Sequence, residues 1–310
     1  MSAIHPELAS RARFIPSVPA SPTVVSALKW LTRVSRTKVA RGVAHERRAI
    51  AGPKDNPSVV AHVFRPENPA RNTPALLWMH GGGYLIGNPM QDAFVCSHFA
   101  SALGITVVAV QYRLAPEHRY PAAVEDCYAA LRWMHETHAS LSIDRDRIAI
   151  GGASAGGGLT AALALLARDR EGPKPAFQLL VYPMLDDRTA LREDLDESNF
   201  RLWKQSNNRY GWRSYLGREP GSDGVEIYAA AGRCESLEGL CPAWLGVGTL
   251  DLFYDEDTTY ARRLNEQGIR CQIDVVDGAF HGFDLAFPSL GVSTRFRDAQ
   301  TEALRRALAL

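Results

Sequence analysis

The chain has 310 residues, of which 46% are hydrophobic and 22% charged, with a formal net charge of +1. This near-neutral composition is typical of a globular protein and gives no electrostatic reason to expect nucleic acid or an anionic membrane as a partner. The five cysteines form no C-x-x-C pair, which favours free thiols and gives a zinc site little support. No apolar run is long enough to span a membrane, and the N-terminus lacks a secretory pattern, so we expect a cytoplasmic location.

Short apolar runs rich in β-branched residues alternate with helical patterns through most of the chain. The predicted strands are His45–Ile50, Val59–Phe64, Ala75–Met79, Ile105–Val110, Arg147–Ile150, Phe177–Val181, Ala243–Val247 and Cys271–Val276. The predicted helices between and after them are Asp92–Leu103, Ala122–Glu136, Leu159–Arg168, Glu256–Gln267 and Arg295–Leu308. This alternation predicts an α/β fold with a mostly parallel central sheet flanked by helices. The first strand is expected to pair antiparallel with the second, across turn signals at Gly52-Pro53 and Asn56-Pro57.

Two regions interrupt this alternation. Residues 1–44 are rich in proline and then helical over Thr23–Thr37, and residues 186–241 carry aromatic side chains at irregular spacings. A long insertion after a central strand, whose aromatics need an apolar partner, predicts a cap over the active edge. The alternative is a surface helical hairpin that only packs on the body. We therefore predict a helical cap formed by residues 1–44 and 186–241, above a catalytic core of residues 45–185 and 242–310.

The segment Gly152-Ala153-Ser154-Ala155-Gly156 follows an apolar strand and precedes a helix. A serine at such a sharp turn is exposed above the sheet, and small neighbours allow the turn to close. The pattern alone is weak, because a glycine-rich turn between a strand and a helix has the same form. If Ser154 is a nucleophile, it needs a general base, a group that orients this base, and donors for an oxyanion.

The rest of the chain offers candidates for each of these groups. His281, beside glycine after the last predicted strand, is the candidate base, and Asp251 after strand Ala243–Val247 is the candidate orienting acid. Asp255 is the alternative acid, although its position favours capping of helix Glu256–Gln267. The order serine, aspartate, histidine is the order of α/β-hydrolases.

The tripeptide Gly81-Gly82-Gly83 follows His80 at the end of another predicted strand. Successive glycines let backbone N–H groups converge, so Gly82 and Gly83, together with Ala155, are the predicted oxyanion donors. The alternatives are a flexible loop and a phosphate-binding loop, and the second lacks the Lys-Ser/Thr ending.

These segments together resemble the hormone-sensitive-lipase-like esterases, the bacterial family IV carboxylesterases of the α/β-hydrolase fold. The resemblance is carried by His80–Tyr84, Tyr112–Glu117 with Tyr120–Ala123, Gly152–Gly157, Asp251–Asp255 and His281–Phe283, and it spans most of the chain from residue 45. Three departures stand out. Ala153 replaces the usual aspartate or threonine, Gln111 replaces an aspartate and is expected to remove an ion pair, and Leu252-Phe253 replaces Pro-Leu.

The resemblance implies a serine carboxylesterase that acts on short- to medium-chain esters through an acyl-enzyme, without metal or organic cofactor. An amidase, an arylformamidase or a deacetylase would use the same residues, whereas a non-catalytic receptor on this scaffold would lack the base. The expected partner is a small-molecule ester, and a homodimer through the edge strand Cys271–Val276 is predicted, with a monomer as the alternative. The predicted pocket residues are Tyr84, Tyr182, Phe200, Trp203, Trp212, Leu252 and Phe283.

Overall fold

A twisted sheet runs through the centre of the molecule, in a computed structural model that describes residues 4–15, 18–34, 38–53 and 57–310. Within these ranges the sheet has eight strands in the order β1-β2-β4-β3-β5-β6-β7-β8. The strands are β1 Val43–Ile50, β2 Val59–Pro66, β3 Thr73–Met79, β4 Thr106–Gln111, β5 Ile143–Ala153, β6 Gln178–Val181, β7 Ala243–Leu250 and β8 Cys271–Phe280.

The sheet is mostly parallel, as the apolar runs predicted. Strand β2 pairs antiparallel with β1 and with β4, and all other neighbours are parallel. The predicted pairing of the first two strands is confirmed, with Ile50 opposite Val59, while Asn56 of the predicted turn lies outside the described residues. The inner strands β3 and β6 are buried almost throughout, because helices cover both faces of the sheet.

The flanking helices also follow the predicted pattern. They are α3 Ala93–Leu103, α4 Ala122–Glu136, α5 His138–Leu141, α6 Ala155–Asp169, α8 Tyr254–Glu266, α9 Phe283–Ala286 and α10 Gly291–Ala307. Helix α6 begins four residues before the predicted start, and β5 begins four residues before its predicted start.

The two regions outside the alternating pattern contact each other. The N-terminal region holds α1 Pro6–Ala12 and α2 Pro22–Val34, and residues 35–37 of the predicted helix lie outside the described residues. The insertion holds α7 Gln205–Leu216 and short 3₁₀ turns, so it is not a helical hairpin. Asn207 on α7 accepts a hydrogen bond from Ala20 N at 2.7 Å and donates one to Val18 O at 3.1 Å. The division into cap and core remains a prediction.

Strand β8 lies at one edge of the sheet and exposes Ile273 and Val275. The predicted homodimer through this edge stays a prediction.

No helix in the described ranges combines the length and the apolar character needed to cross a bilayer.

Candidate active site

Ser154 occupies a strained turn between β5 and α6. Its φ of 57° and ψ of −122° are values that residues with a side chain rarely adopt. A Cβ at Gly152 would lie 2.4 Å from Gly156 O, and one at Gly156 would lie 2.1 Å from Met79 O. Both glycines are therefore required by packing, and the turn holds the 7% exposed Ser154 at the end of the sheet.

Replacing Gly156 with alanine should destabilise the fold by about 2–3 kcal/mol or more, because the new methyl group overlaps the rigid backbone of β3. Urea denaturation measures this cost as a change in the free energy of unfolding. The matched control is Gly104→Ala, at a left-handed position (φ 68°) with open space around it, where backbone strain alone should cost about 1 kcal/mol. Equal losses in the two variants would contradict the packing argument.

The structure brings the three predicted residues Ser154, His281 and Asp251 together. His281 Nε2 lies 2.9 Å from Ser154 Oγ, and His281 Nδ1 lies 2.8 Å from Asp251 Oδ2. The Asp251 carboxylate accepts a hydrogen bond from the Nδ1–H group of His281. The other ring nitrogen, Nε2, then carries no proton and can accept the proton of Ser154. The three groups thus form a continuous relay from carboxylate to hydroxyl.

The sheet explains why residues far apart in sequence meet here. Ser154, Asp251 and His281 directly follow β5, β7 and β8, and the carboxyl ends of parallel strands lie at one edge of a sheet. Asp251 is only 3% exposed, and its second oxygen accepts a hydrogen bond from Phe253 N at 3.0 Å. The Asp251 carboxylate is therefore held by a hydrogen bond on each of its oxygens.

Two aromatic rings pack against the imidazole. Phe253 and Tyr182 meet the His281 ring edge-on, at centroid distances of 5.1 Å and 4.9 Å. Phe253 thus contacts His281 through its ring and Asp251 through its backbone N–H. The sequence singled out Phe253 only as a departure from the family pattern, and no local signal indicated these contacts.

Asp255, the alternative acid, lies outside the relay. Its carboxylate is 57% exposed and pairs with Arg192. The expected capping role is also wrong, because α8 begins at Tyr254 and places Asp255 inside its first turn. An acid in the first turn still favours the helix through its dipole.

The predicted oxyanion loop follows β3. Gly82 and Gly83 have φ values of 129° and 61°, and a Cβ at Gly82 would lie 2.1 Å from Ile86 O. The N–H groups of Gly82, Gly83 and Ala155 donate to no acceptor in the described part of the chain. They are therefore available to a ligand.

The His80 side chain holds this loop through a hydrogen bond. Burial lowers the pKa of His80 to about 4, so the ring is neutral at pH 7 and its Nδ1–H donates to Gly81 O at 2.8 Å. Gln91 Nε2 donates to the same oxygen at 3.2 Å, and the His80 ring stacks on Tyr112 at 4.3 Å. The side chains of His80 and Gln91 thus hold Gly81 O in place, and the Tyr112 ring supports His80.

The substitution at Gln111 does not leave the neighbouring arginine unpaired. Arg113 makes a two-pronged contact with the buried Asp126, with Nη2 2.8 Å from Oδ1 and Nε 2.9 Å from Oδ2. Arg113 is thus paired with an acid from α4, and the loss of an ion pair at position 111 itself stays a prediction.

A cavity of about 720 Å³ opens beside Ser154 and His281. Apolar side chains from several elements form most of its wall, namely Val18, Val24, Val25, Leu28, Leu85, Ile86, Phe94, Val95, Leu202 and Leu285. Both the N-terminal region and the insertion contribute to this wall. The wall residues from α2 were not identified from the sequence, although their spacing of three to four residues is that of an apolar helix face.

Of the seven predicted pocket residues, Tyr182 and Trp203 line this cavity, whereas the other five do not. Tyr84 and Trp212 are core residues, and the Tyr84 ring stacks on Tyr215 at 4.0 Å. Burying the whole surface of a large aromatic ring stabilises the fold more than burying part of it. Tyr84 and Trp212 therefore lie in the core and not in the cavity wall.

The remaining three predicted pocket residues also lie outside this cavity. Phe283 is buried against Phe296, with ring centroids 5.0 Å apart. Phe200 and Leu252 border a separate concavity of about 250 Å³ beyond Asp251. None of these three residues therefore lines the cavity beside Ser154.

The sequence pattern of the family described as alpha/beta hydrolase fold matches residues 76–285. Carboxylic ester hydrolase LipN of Mycobacterium tuberculosis is 36% identical over 267 residues, which cover 84% of this chain and 69% of LipN. Ethyl acetate hydrolase of Pseudomonas putida is 31% identical over 233 residues, 74% of this chain and 73% of that protein.

A solved structure of a bacterial heroin esterase superposes with a TM-score of 0.91 and 37% identity, over 99% of this chain and 98% of that one. Pattern, relatives and structure agree with the expected fold and with the resemblance carried by the motifs. The chain belongs to the α/β-hydrolase fold family and, within it, to the hormone-sensitive-lipase-like carboxylic ester hydrolases.

Proposed function

We propose that this enzyme is a serine carboxylesterase that hydrolyses short- to medium-chain esters through an acyl-enzyme. The observation that carries the proposal is the relay of Ser154, His281 and Asp251, with its contacts of 2.9 Å and 2.8 Å. A serine hydroxyl is a weak nucleophile by itself, and a neutral imidazole at this distance is the group that activates it.

In the first half of the reaction, Ser154 Oγ attacks the ester carbonyl carbon while its proton moves to His281 Nε2. Asp251 stabilises the imidazolium that forms. The carbonyl oxygen becomes an oxyanion, which accepts hydrogen bonds from the N–H groups of Gly82, Gly83 and Ala155. When the carbon–oxygen bond to the alcohol breaks, His281 returns the proton to the leaving alcohol, and the acyl group stays on Ser154.

In the second half, water replaces the alcohol and the same groups act again. His281 removes a proton from the water as it attacks the acyl carbon, and the second oxyanion forms at the same donors. Its collapse releases the carboxylic acid and returns the proton to Ser154 Oγ. The aromatic rings of Phe253 and Tyr182 beside His281 keep the imidazole oriented through both halves.

The mostly apolar wall of the cavity supports the proposal that an uncharged acyl chain binds there. Residues of the N-terminal region and of the insertion meet over it, and we propose that residues 1–44 and 186–241 act together as a cap. The Trp203 ring lies against the oxyanion loop, with its Cη2 atom 2.1 Å from the place of a Cβ at Gly83. This ring limits the space on one side of the reacting carbon, which favours short and medium chains.

A panel of p-nitrophenyl esters tests the proposed substrate class. We expect kcat/KM to rise by up to about fourfold for each methylene added from acetate onward, since burial of one methylene contributes about 0.8 kcal/mol. The rise should end near octanoate, and palmitate should be a poor substrate because its chain outgrows the cavity.

The panel includes the p-nitroanilide and the aryl formamide that correspond to the best ester. We expect both to be hydrolysed more slowly than the ester. A faster anilide or formamide would identify an amidase or a formamidase instead. The Ser154→Ala protein serves as the blank for spontaneous hydrolysis.

A further inference from the structure

The opening of the cavity beside Ser154 is bordered by apolar side chains that solvent reaches. Four large apolar residues line the cavity and are also exposed at the surface, namely Val18, Phe94, Leu202 and Leu285. They come from the N-terminal region, α3, the insertion and α9. A side chain that lines a cavity and also faces solvent lies at its mouth, so apolar groups from four parts of the chain surround the entrance.

Helix α2 extends this apolar surface beyond the cavity. Val24 and Leu28 line the cavity, and Leu31 lies on the same side of the helix, three residues after Leu28. Leu31 is 53% exposed, and the neighbouring Trp30 is 68% exposed. A surface helix normally turns only one apolar side inward and covers the other with polar residues. The exposed end of α2 therefore has the character of a helix face that has a partner.

Two hydrogen bonds place exposed residues of the N-terminal region next to the mouth. Near the end of α2, Thr32 O accepts a hydrogen bond from Asn88 Nδ2, in the turn before α3. After α1, the exposed Phe14 follows Ala12 by two residues, and Ala12 O accepts a hydrogen bond from Arg201 Nε at 3.2 Å, one residue before the mouth in the insertion. We call these exposed apolar residues together the mouth surface: Phe14, Val18, Trp30, Leu31, Phe94, Leu202 and Leu285.

The N-terminal region that contributes most of the mouth surface is strongly positive. Residues 1–44 contain seven basic and one acidic side chain, whereas the rest of the chain contains 28 basic and 33 acidic ones. The overall charge of +1 therefore conceals a positive N-terminal region on a negative body. A charge asymmetry of this kind favours an anionic partner for the positive part.

Several of these positive charges are available to a partner. Four basic residues of the N-terminal region are exposed and form no ion pair within the described ranges, namely Arg11, Arg13, Lys38 and Arg41. The Arg13 guanidinium lies 4.8 Å from the centroid of the exposed Phe14 ring. Lys38 lines the cavity and is exposed, so a positive charge also lies at the entrance itself.

The other charged side chains of the cavity wall lie further from solvent. Arg297 is half-buried over the Phe94 ring, at 5.1 Å from its centroid. Asp92 is buried, and Asp284 is half-buried and accepts a hydrogen bond from Tyr182. The exposed charge at the entrance is therefore positive.

An anionic lipid bilayer matches both the charge and the apolar character of this surface. Basic side chains are attracted to anionic headgroups, while Trp, Phe and Leu side chains enter the boundary between headgroups and acyl chains. Nucleic acid would match the charge, but it offers nothing to aliphatic side chains such as Leu31 and Leu285. An exposed apolar patch of this kind marks an interaction site.

We propose that the mouth surface docks on an anionic lipid bilayer, so that the cavity opens towards the lipid. Docking requires no chemistry at Ser154. Its consequence, that lipophilic esters reach the cavity directly from the bilayer, rests on the proposed esterase function.

Flotation of the full-length protein with lipid vesicles tests the docking. We expect the protein to float with vesicles of phosphatidylcholine and phosphatidylglycerol in equal parts, and much less with vesicles of phosphatidylcholine alone. Sodium chloride at about 1 M should release most of the protein, because charges are then screened beyond about 3 Å. Ser154→Ala should float like the wild type.

A double variant removes the apolar contribution of α2. Trp30→Ser with Leu31→Ser should lower the partition into the mixed vesicles about tenfold or more, because two apolar side chains no longer enter the lipid. Neither residue lines the cavity, so hydrolysis of p-nitrophenyl acetate in solution should be unchanged. The matched control is Ile273→Ser with Val275→Ser, an exposed apolar pair on β8 outside the cavity, which should float like the wild type.

A second pair of variants tests the charge. Arg13→Gln should lower the partition about fivefold, the contribution of one basic side chain near an anionic surface. Arg132→Gln removes the same charge from α4, where Arg132 is exposed and pairs with Glu136, and should leave the partition unchanged.

The proposal would be overturned if the wild type did not float with the mixed vesicles, or if Trp30→Ser with Leu31→Ser floated equally well. Light scattering covers the other occupant of this surface. A wild type that is dimeric, with a monomeric Trp30→Ser and Leu31→Ser variant, would assign the mouth surface to a second copy of the chain. Flotation without hydrolysis of any ester would leave the docking in place and remove the esterase function instead.

The supply of substrate from the bilayer has its own measurement. When p-nitrophenyl octanoate is dissolved in the mixed vesicles, Trp30→Ser with Leu31→Ser should hydrolyse it more slowly than the wild type, by about the factor lost in flotation. Equal rates for the two proteins on this ester would contradict delivery through the mouth surface.

Discussion

Replacing Ser154 with alanine should lower kcat for p-nitrophenyl butyrate by about 10⁴- to 10⁶-fold, because no other described residue offers a hydroxyl at 2.9 Å from His281 Nε2. The Cβ and the strained backbone of the turn are kept, so the fold should not change. The thermal unfolding midpoint of the variant and of the wild type should agree closely. Steady-state kinetics on the purified proteins measure the effect.

A covalent label separates the loss of the nucleophile from a general loss of activity. In diethyl p-nitrophenyl phosphate, Ser154 Oγ should attack phosphorus and expel p-nitrophenolate, so that the wild-type protein gains one diethylphosphoryl group in its mass spectrum. Ser154→Ala should gain none, whereas Ser140→Ala, at an exposed serine of α5, should be labelled like the wild type. Labelling of Ser154→Ala at another residue would mean that the nucleophile lies elsewhere.

The relay residues were predictable from the sequence because their positions follow from local features. Each of Ser154, Asp251 and His281 comes directly after an apolar strand, and a parallel sheet brings such positions to one edge whatever the loops between them do. The glycines around Ser154 and in the oxyanion loop mark places where a Cβ does not fit. These constraints are visible in a single sequence.

The start of α6 shows a limit of the same reasoning. The helix was predicted only from Leu159, whereas α6 begins at Ala155 and includes Gly156, Gly157 and Gly158. In the structure a Cβ at Gly157 would lie 2.8 Å from Pro183 Cβ, and one at Gly158 would lie 2.1 Å from Met184 O. The glycines are needed because the helix packs very close to the chain after β6, and this tertiary requirement overrides their low helix propensity.

The cavity wall was the least predictable part of the site. The wall residues on α2 lie more than 120 positions before Ser154 in the sequence. Nothing in the local sequence fixes where that helix docks. Aromatic side chains such as Tyr84 and Trp212 were chosen by type, whereas the fold uses them to fill the core. Which apolar residue lines a cavity depends on how separate segments pack, and pattern alone does not encode this.

Replacing Asp251 with asparagine should lower kcat by about 10⁴-fold. The asparagine amide fits the same space and can donate to His281 Nδ1 where the carboxylate now accepts, at 2.8 Å. That bond holds the ring in the tautomer whose Nε2 carries a proton and so does not accept the proton of Ser154. The imidazolium would also lose the buried charge that stabilises it, while KM should change little.

The matched control is the same substitution four residues later. Asp255→Asn removes only an exposed ion pair with Arg192, which contributes about 1 kcal/mol or less to stability, and kcat should stay within about threefold of the wild type. The pair of variants therefore separates the two candidate acids by several orders of magnitude in rate. A large loss in Asp255→Asn together with a small one in Asp251→Asn would reverse the assignment, against the geometry of the relay.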